Sequence, residues 1–401
     1  MTLTNRWFWP IAITVAVALK IALSILAIYS YDFLEILRRA TILYNLTSGH
    51  PLPMVELFHG LYLIWISIPL DHGNYQEWIG NIAAYPNDLA SNILIFILKL
   101  PVLIFDLLSG LVIHRIMMNL NPARASRAFA FWILNPYVTL VTEMQGSIDI
   151  IPVFFLLLSV YFTTKRKVSL ASLSGLLGTA LKLFPIFFLP ALVYRIRTCK
   201  RPTAILTTGF VVGAAICIYT IDRAGLNWLL ALLSYDPFIL QVNEILLTPY
   251  ATRIGLASLF GLSFYLLTHY LWKASDTVEL DGAFGAGLVI LPFINYWPSY
   301  LLWTLPFFTL NSAKNKRWFV YSTIWLLSAF SYLLITFDFA GSNSLFYIPT
   351  DNLFMEALAK PIQSLRANQL IPLILGPILR SLFTAFSLYL ALLVFNRNLR
   401  R

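Results

Sequence analysis

Charged residues are scarce in this sequence, and their scarcity excludes most soluble folds. Only 11% of the 401 residues are charged, while 59% are hydrophobic. The hydrophobic residues form repeated runs that are too long for the core of a soluble protein of this size. We therefore expect an all-α polytopic membrane protein whose single integral membrane domain spans residues 1–401.

Cysteine is almost absent as well, since only Cys199 and Cys217 occur. Cys199 lies in a basic cluster and Cys217 in an apolar run, so neither a disulfide framework nor a cysteine-based metal site is available. The spacings of His50, His59 and His72 match no metal motif, and no nucleotide-binding loop is visible. We predict no metal ion and no cofactor.

The net charge of +10 arises mostly from short basic clusters between the apolar runs. Such clusters mark cytoplasmic loops and do not indicate nucleic-acid binding. A cytoplasmic N-terminus would place nearly all basic clusters on one side of the membrane and nearly all acidic residues on the other. This asymmetry predicts about 10–12 transmembrane or re-entrant helices with both termini cytoplasmic. The sequence leaves open whether the membrane is a prokaryotic plasma membrane or a eukaryotic endoplasmic reticulum.

The candidate spans differ in length, and several are too short to cross a bilayer unless neighbouring helices bury them. The first is expected to be a retained signal anchor. Residues 31–89 and 338–369 form two long outer loops, the first with interfacial helices and a short apolar stretch, 57–70, that could be re-entrant. The candidate spans are 7–30, 90–111, 128–141, 150–162, 170–181, 185–194, 203–221, 254–272, 283–296, 300–310, 318–337 and 370–395.

Two carboxylates follow the first span directly. Asp32 and Glu35 are three residues apart, so on a helix they share one face, where one could deprotonate a hydroxyl while the other positions it. The alternative is that Asp32 only caps the positive end of a helix.

A polar tip lies between two apolar arms at residues 143–149, where Gly146 is surrounded by Glu143, Gln145, Ser147 and Asp149. Such a tip could reach a substrate at the membrane surface, although a solvated turn has a similar pattern.

Lysines within apolar segments are a further signal, because an ammonium group in a membrane needs an anion or access to water. Lys182 ends a short apolar segment and is either a functional cation or an interfacial anchor. Lys99 and Asp106 are expected to point into the bundle and pair with neighbours, with Lys20 as a candidate. The aromatic residues around Tyr300 could form an interfacial belt.

Taken in order, these motifs resemble the GT-C superfamily of glycosyltransferases, particularly the glycosylphosphatidylinositol mannosyltransferase I type and its prokaryotic relatives. The resemblance covers about residues 1–310. The matching pieces are Asp32 with Gly49-His50-Pro51, Lys99-Leu100-Pro101 to Asp106-Leu107, Asn135-Pro136, Gln145-Gly146-Ser147-Ile148-Asp149, Lys182-Leu183-Phe184-Pro185, and Tyr300-Leu301-Leu302-Trp303 to Pro306.

The resemblance implies an inverting transfer of a hexose, with mannose preferred, from a polyprenyl-phosphate sugar to a lipid-linked acceptor at the exoplasmic or lumenal face. It implies Asp32 as the base, with Glu35 and Asp149 positioning the acceptor or the sugar. Lys182 would contact the phosphate, with help from Arg38 or Arg39. Gln145 and Tyr300 would be further substrate contacts.

Two departures from the family pattern keep other functions open. The loop acids form Asp-x-x-Glu in place of a tight Asp-x-Asp pair, and Ser299 replaces the usual Gln. One alternative is a non-catalytic subunit of a membrane complex, of the transamidase-subunit type, with a small membrane subunit as partner. The other is a lipid or solute transporter, which should show internal repeats and broken helices with midplane charges.

Overall fold

Almost all of the described chain is helical. The computed structural model describes residues 4–25, 33, 52–69, 89–182, 184–185, 278–293, 298–336, 338–340, 344–346 and 370–399. The α-helices are α1 Thr4–Ile25, α2 Leu52–Ile66, α3 Leu89–Leu120, α4 Ala125–Ile133, α5 Pro136–Thr139, α6 Ile150–Thr164, α7 Val168–Leu181, α8 Val278–Ile290, α9 Leu305–Lys314, α10 Lys316–Thr336 and α11 Leu370–Leu399.

Shorter elements connect these helices. A π-helical turn, Leu140–Met144, follows α5, and 3-10 helices cover Pro122–Arg124, Leu291–Phe293 and Pro298–Trp303. Two three-residue strands, β1 Asp338–Ala340 and β2 Ser344–Phe346, pair in parallel. The expectation of an all-helical chain is therefore confirmed in its main part, with one small β pair added.

Two of the described helices are long and apolar enough to cross a membrane: Asn92–Leu120 within α3 and Lys316–Ile335 within α10. At about 1.5 Å per residue, each exceeds or nearly matches the 30 Å of a hydrocarbon layer. The predicted span 90–111 is too short, since α3 continues to Leu120. The predicted spans 203–221 and 254–272, and nearly all of 185–194, lie outside the described residues.

Helix α1 has its polar face inside and its apolar face outside. Ala16, Lys20 and Ser24 recur every four residues and are buried, whereas Ile11, Val15 and Leu19 are each more than half exposed. A soluble protein normally buries the apolar stripe of a helix and leaves lysine in water. Helix α1 departs from that soluble pattern, because its lysine is buried and its aliphatic side chains are exposed.

The predicted span 128–141 is interrupted. Helix α4 ends at Ile133, and Asn135 adopts an extended conformation whose side chain accepts hydrogen bonds from the backbone N–H groups of Tyr137 and Val138. The residue before a proline is disfavoured in the helical region, so Asn135 must leave the helix before Pro136 starts the next one. The predicted span 300–310 is also divided, into the 3-10 helix Pro298–Trp303 and α9.

Helices α6 and α7 pack against each other as a hairpin, and the Ser159 hydroxyl donates to the Ala171 carbonyl between them. The turn between them contains three exposed basic residues, Lys165, Arg166 and Lys167. The start of α6 and the end of α7 therefore meet at the other end of the hairpin. That end brings Asp149 and Lys182 together.

Candidate functional site

The ion pair between Asp149 and Lys182 forms the centre of the site. Lys182 Nζ lies 2.5 Å from Asp149 Oδ1. The Asp149 side chain is almost fully enclosed, with 1% exposed, whereas 24% of the Lys182 side chain is exposed. Asp149 is thus the enclosed partner of the ion pair, and Lys182 is the partner whose side chain is partly exposed.

Three aromatic rings surround this ion pair. Trp303 Nε1 donates to Asp149 Oδ2 over 3.1 Å, so both carboxylate oxygens accept a hydrogen bond. The Trp303 ring stacks on Phe184 at 4.1 Å and on Tyr300 at 4.4 Å between centroids. Lys182 Nζ lies 5.2 Å from the centre of the Tyr300 ring, within cation–π range. Carboxylate and rings together fix the position of the ammonium group.

Local sequence explains how the chain reaches this geometry. Helix α7 ends at Leu181, and Lys182 is extended at φ −158° and ψ 139°, which turns its side chain away from the helix axis. Gly146 has φ +68°, a conformation that favours glycine because it lacks a Cβ atom. A Cβ atom at Gly146 would also lie 2.8 Å from the Phe33 ring. The tight turn between the π-helical segment and α6 therefore requires this glycine.

A second group of charges is buried behind the polar tip. Lys20 Nζ lies 2.9 Å from Asp106 Oδ2 and 3.0 Å from Glu143 Oε2. Trp132 Nε1 donates to Asp106 Oδ1 over 2.8 Å, and Lys99 Nζ donates to the Met144 carbonyl over 2.9 Å. The four charged residues are each at most 1% exposed. We call Lys20, Lys99, Asp106 and Glu143 the buried charge cluster.

The cluster confirms the predicted inward orientation of Lys99 and Asp106, and Lys20 is the predicted partner of Asp106. It also ties α1 and α3 to the segment just before the polar tip, since Lys20 donates to the Glu143 carboxyl group and Lys99 donates to the Met144 carbonyl. The tip is therefore braced from two helices.

Half of the predicted site residues can be located. Asp149, Lys182 and Tyr300 lie together, and Gln145 is buried in the same polar tip, 3% exposed. Asp32, Glu35, Arg38 and Arg39 lie outside the described residues. Phe33 is described, and its ring is 1% exposed and would contact any side chain placed at Gly146.

Prediction from sequence missed three contributors: Trp303 and Phe184 at the ion pair, and Glu143 in the buried charge cluster. Each was inside a motif but had no assigned role. Glu143 offered a signal, because an acid two residues after an apolar run is costly to bury without a cation. No sequence pattern indicated that Trp303 donates to Asp149, 154 residues away.

The arrangement can bind an anion, because the ammonium group of a partly exposed lysine side chain is held between a buried carboxylate and an aromatic face. Flat apolar surface next to that cation suits a ligand that combines a negative charge with a ring. Among the described residues, no group of three or more His, Cys, Asp or Glu side chains could hold a metal ion.

Comparison of the sequence with models of known protein families gave no match, and comparison with curated proteins gave none either. We therefore infer the function of this chain from its residues and their geometry.

Proposed function

We propose that this chain is a multi-pass membrane glycosyltransferase that moves a hexose, with mannose preferred, from a polyprenyl-phosphate sugar to a lipid-linked acceptor. The observation that carries the proposal is the partly exposed Lys182 side chain, whose ammonium group is held by Asp149 beside Tyr300 and Trp303. A lipid-phosphate sugar presents the two groups this site suits: a phosphate and a sugar ring.

The proposed topology places the site at the exoplasmic face with both termini in the cytoplasm. Contacts at the end of the bundle opposite Asp149 and Lys182 support this topology. There Asn119 donates to Thr164, and Arg124 donates to the Ala313 carbonyl. The basic residues 165–167, Lys314, Lys316 and Arg317 belong to that same end of the bundle. Because lysine and arginine mark cytoplasmic loops, the opposite end, with Asp149 and Lys182, would face outward.

In the proposed reaction, the Asp32 carboxylate removes the proton of an acceptor hydroxyl. The hydroxyl oxygen bonds to the anomeric carbon from the face opposite the phosphate, and the bond from that carbon to the phosphate oxygen breaks. The electron pair leaves with the lipid phosphate, so the sugar is inverted. Because negative charge grows on the phosphate as the bond breaks, a fixed ammonium group stabilises the transition state.

Each residue has one role in this proposal. Lys182 holds the departing phosphate, with Arg38 or Arg39 as a second cation, and Glu35 orients the acceptor. The role we propose for Asp149 differs from the one implied by the resemblance, because both of its oxygens already accept hydrogen bonds. We assign it to positioning Lys182 and Trp303, with no direct contact to the sugar.

A transporter is the second candidate, and two observations favour it. The helix broken between Ile133 and Leu140 and the buried charge cluster are features found in transporters. The sequence of this chain, however, shows no internal repeat of the kind expected in transporters. A non-catalytic subunit with a small membrane partner is a third candidate, favoured by the altered acidic motif.

Turnover of a labelled donor lipid separates these functions. Purified protein in lipid nanodiscs is mixed with labelled polyprenyl-phosphate mannose and a lipid extract as acceptor, and transfer of label is measured. We expect transfer by the natural protein and its loss in Asp32→Asn. Lys182→Ala should raise the KM for the donor more than that for the acceptor.

The matched control is Lys165→Met, which removes an exposed lysine from the other end of the α6–α7 hairpin and should leave transfer unchanged. No transfer by the natural protein with any polyprenyl-phosphate sugar would contradict the enzymatic proposal. Full activity of Asp32→Asn would remove Asp32 as the base, and equal effects of Lys182→Ala on both substrates would remove Lys182 as the phosphate contact.

A further inference from the structure

Glu143 and Asp106 differ in how nitrogen atoms reach their carboxyl oxygens. Asp106 accepts from Trp132 Nε1 on one oxygen and pairs with Lys20 on the other. Glu143 pairs with the same Lys20 through Oε2, and its Oε1 has no hydrogen-bond partner in the described part of the chain. One ammonium group is therefore shared by two carboxyl groups. Each has one oxygen without a hydrogen bond in the described part of the chain, but Asp106 Oδ2 lies 2.9 Å from Lys20 Nζ, whereas no ion pair in that part reaches Glu143 Oε1.

The hydrogen atoms around Thr142 point to a proton on Glu143. The Thr142 hydroxyl lies 2.6 Å from the Val138 carbonyl, and it is also in close contact with Glu143 Oε2. A threonine hydroxyl has one hydrogen to donate. If the Val138 carbonyl receives it, the hydrogen between Thr142 and Glu143 must belong to the glutamic acid.

The surroundings also disfavour a second negative charge. Glu143 is 1% exposed, and burial of a carboxylate is costly unless several donors surround it. The charged groups that face it are Lys20 from α1 with Lys99 and Asp106 from α3, and Lys99 donates to the Met144 carbonyl. Tyr300 is the titratable residue of the 3-10 helix packed on this turn. Two carboxylates at one ammonium group favour protonation of one of them.

We propose that Glu143 is a buried proton-binding site, with the proton held on Oε2 against Thr142 beside the ionised Lys20–Asp106 pair. The site does not depend on the proposed glycosyl transfer. It lies in a π-helical turn, a distortion often found at functional sites. Release of the proton would place a new charge between Lys20 and Asp106, directly before the turn that leads to Asp149.

Infrared spectroscopy of the purified protein in nanodiscs near neutral pH tests the site, because protonated and ionised carboxyl groups absorb at separate frequencies. The natural protein minus Glu143→Gln should show the carbonyl band of a protonated acid. The matched control, Asp149→Asn, removes an acid that receives two nitrogen donors, and its difference spectrum should show carboxylate bands.

Glutamine has the shape of a neutral glutamic acid, so Glu143→Gln should fold with an unchanged thermal midpoint. A spectrum in which Glu143→Gln loses only carboxylate absorption would overturn the proposal. Failure of Glu143→Gln to fold would overturn it too, because the proposal states that this position already holds a neutral side chain.

Discussion

Removal of Lys182 should destabilise the protein more than removal of its partner Asp149. Lys182→Met leaves an ionised carboxylate with 1% exposure and one remaining donor, Trp303. Loss of one partner from a buried pair costs about 3–5 kcal/mol. Asp149→Asn leaves an ammonium group on a side chain that is 24% exposed. Water can solvate that group, so we expect about 1–2 kcal/mol, nearer to the cost of one hydrogen bond to a charged group.

The double variant makes the test quantitative. With both charges removed, no buried carboxylate is left unpaired. The double variant should therefore lose much less stability than the sum of the losses in the two single variants. We expect a coupling of about 1–3 kcal/mol, the range for residues in one ion-pair network. Equilibrium unfolding in mixed micelles, followed by tryptophan fluorescence, measures all three variants.

Lys165→Met is the control for removal of a lysine in the same hairpin, and as an exposed change it should cost at most about 0.5 kcal/mol. Additive single costs, or a Lys182→Met cost no larger than that of Asp149→Asn, would refute the view that the carboxylate is the enclosed partner.

Two further stability predictions follow from the same structure. Gly146→Ala should lower the free energy of unfolding by about 1–3 kcal/mol, because Gly146 has φ +68° and a Cβ atom would lie 2.8 Å from Phe33. The control is Gly60→Ala, which has open space around it and should be neutral or stabilising in thermal unfolding. Trp132→Phe should cost about 1.5–3 kcal/mol because its N–H donates to Asp106, whereas Trp325→Phe, which loses a bond to the neutral Ser387 hydroxyl, should cost about 0.5–1.5 kcal/mol. Equal costs for the two tryptophans would contradict a charged Asp106.

Part of the site could be predicted from local patterns. Asp149 precedes α6 and Lys182 follows α7, and a basic turn joins the two helices, so a hairpin must bring these residues to one end. The same local argument, the cost of charge in an apolar segment, predicted inward orientations for Lys99 and Asp106. The prediction of one continuous span, 128–141, was wrong at Asn135. Hydropathy treats this run as continuous, but the conformational restriction before a proline divides it.

The helical character of the chain and its many apolar segments can be inferred without a structure, because hydropathy and basic clusters act over one helix at a time. Which polar groups meet depends on how the helices pack. Lys20 finds Glu143 across 123 positions and Asp149 finds Trp303 across 154, and no periodicity encodes such distant pairs. Their selection depends on helix packing, since a buried charge must take whichever partner the packed helices bring within about 3 Å.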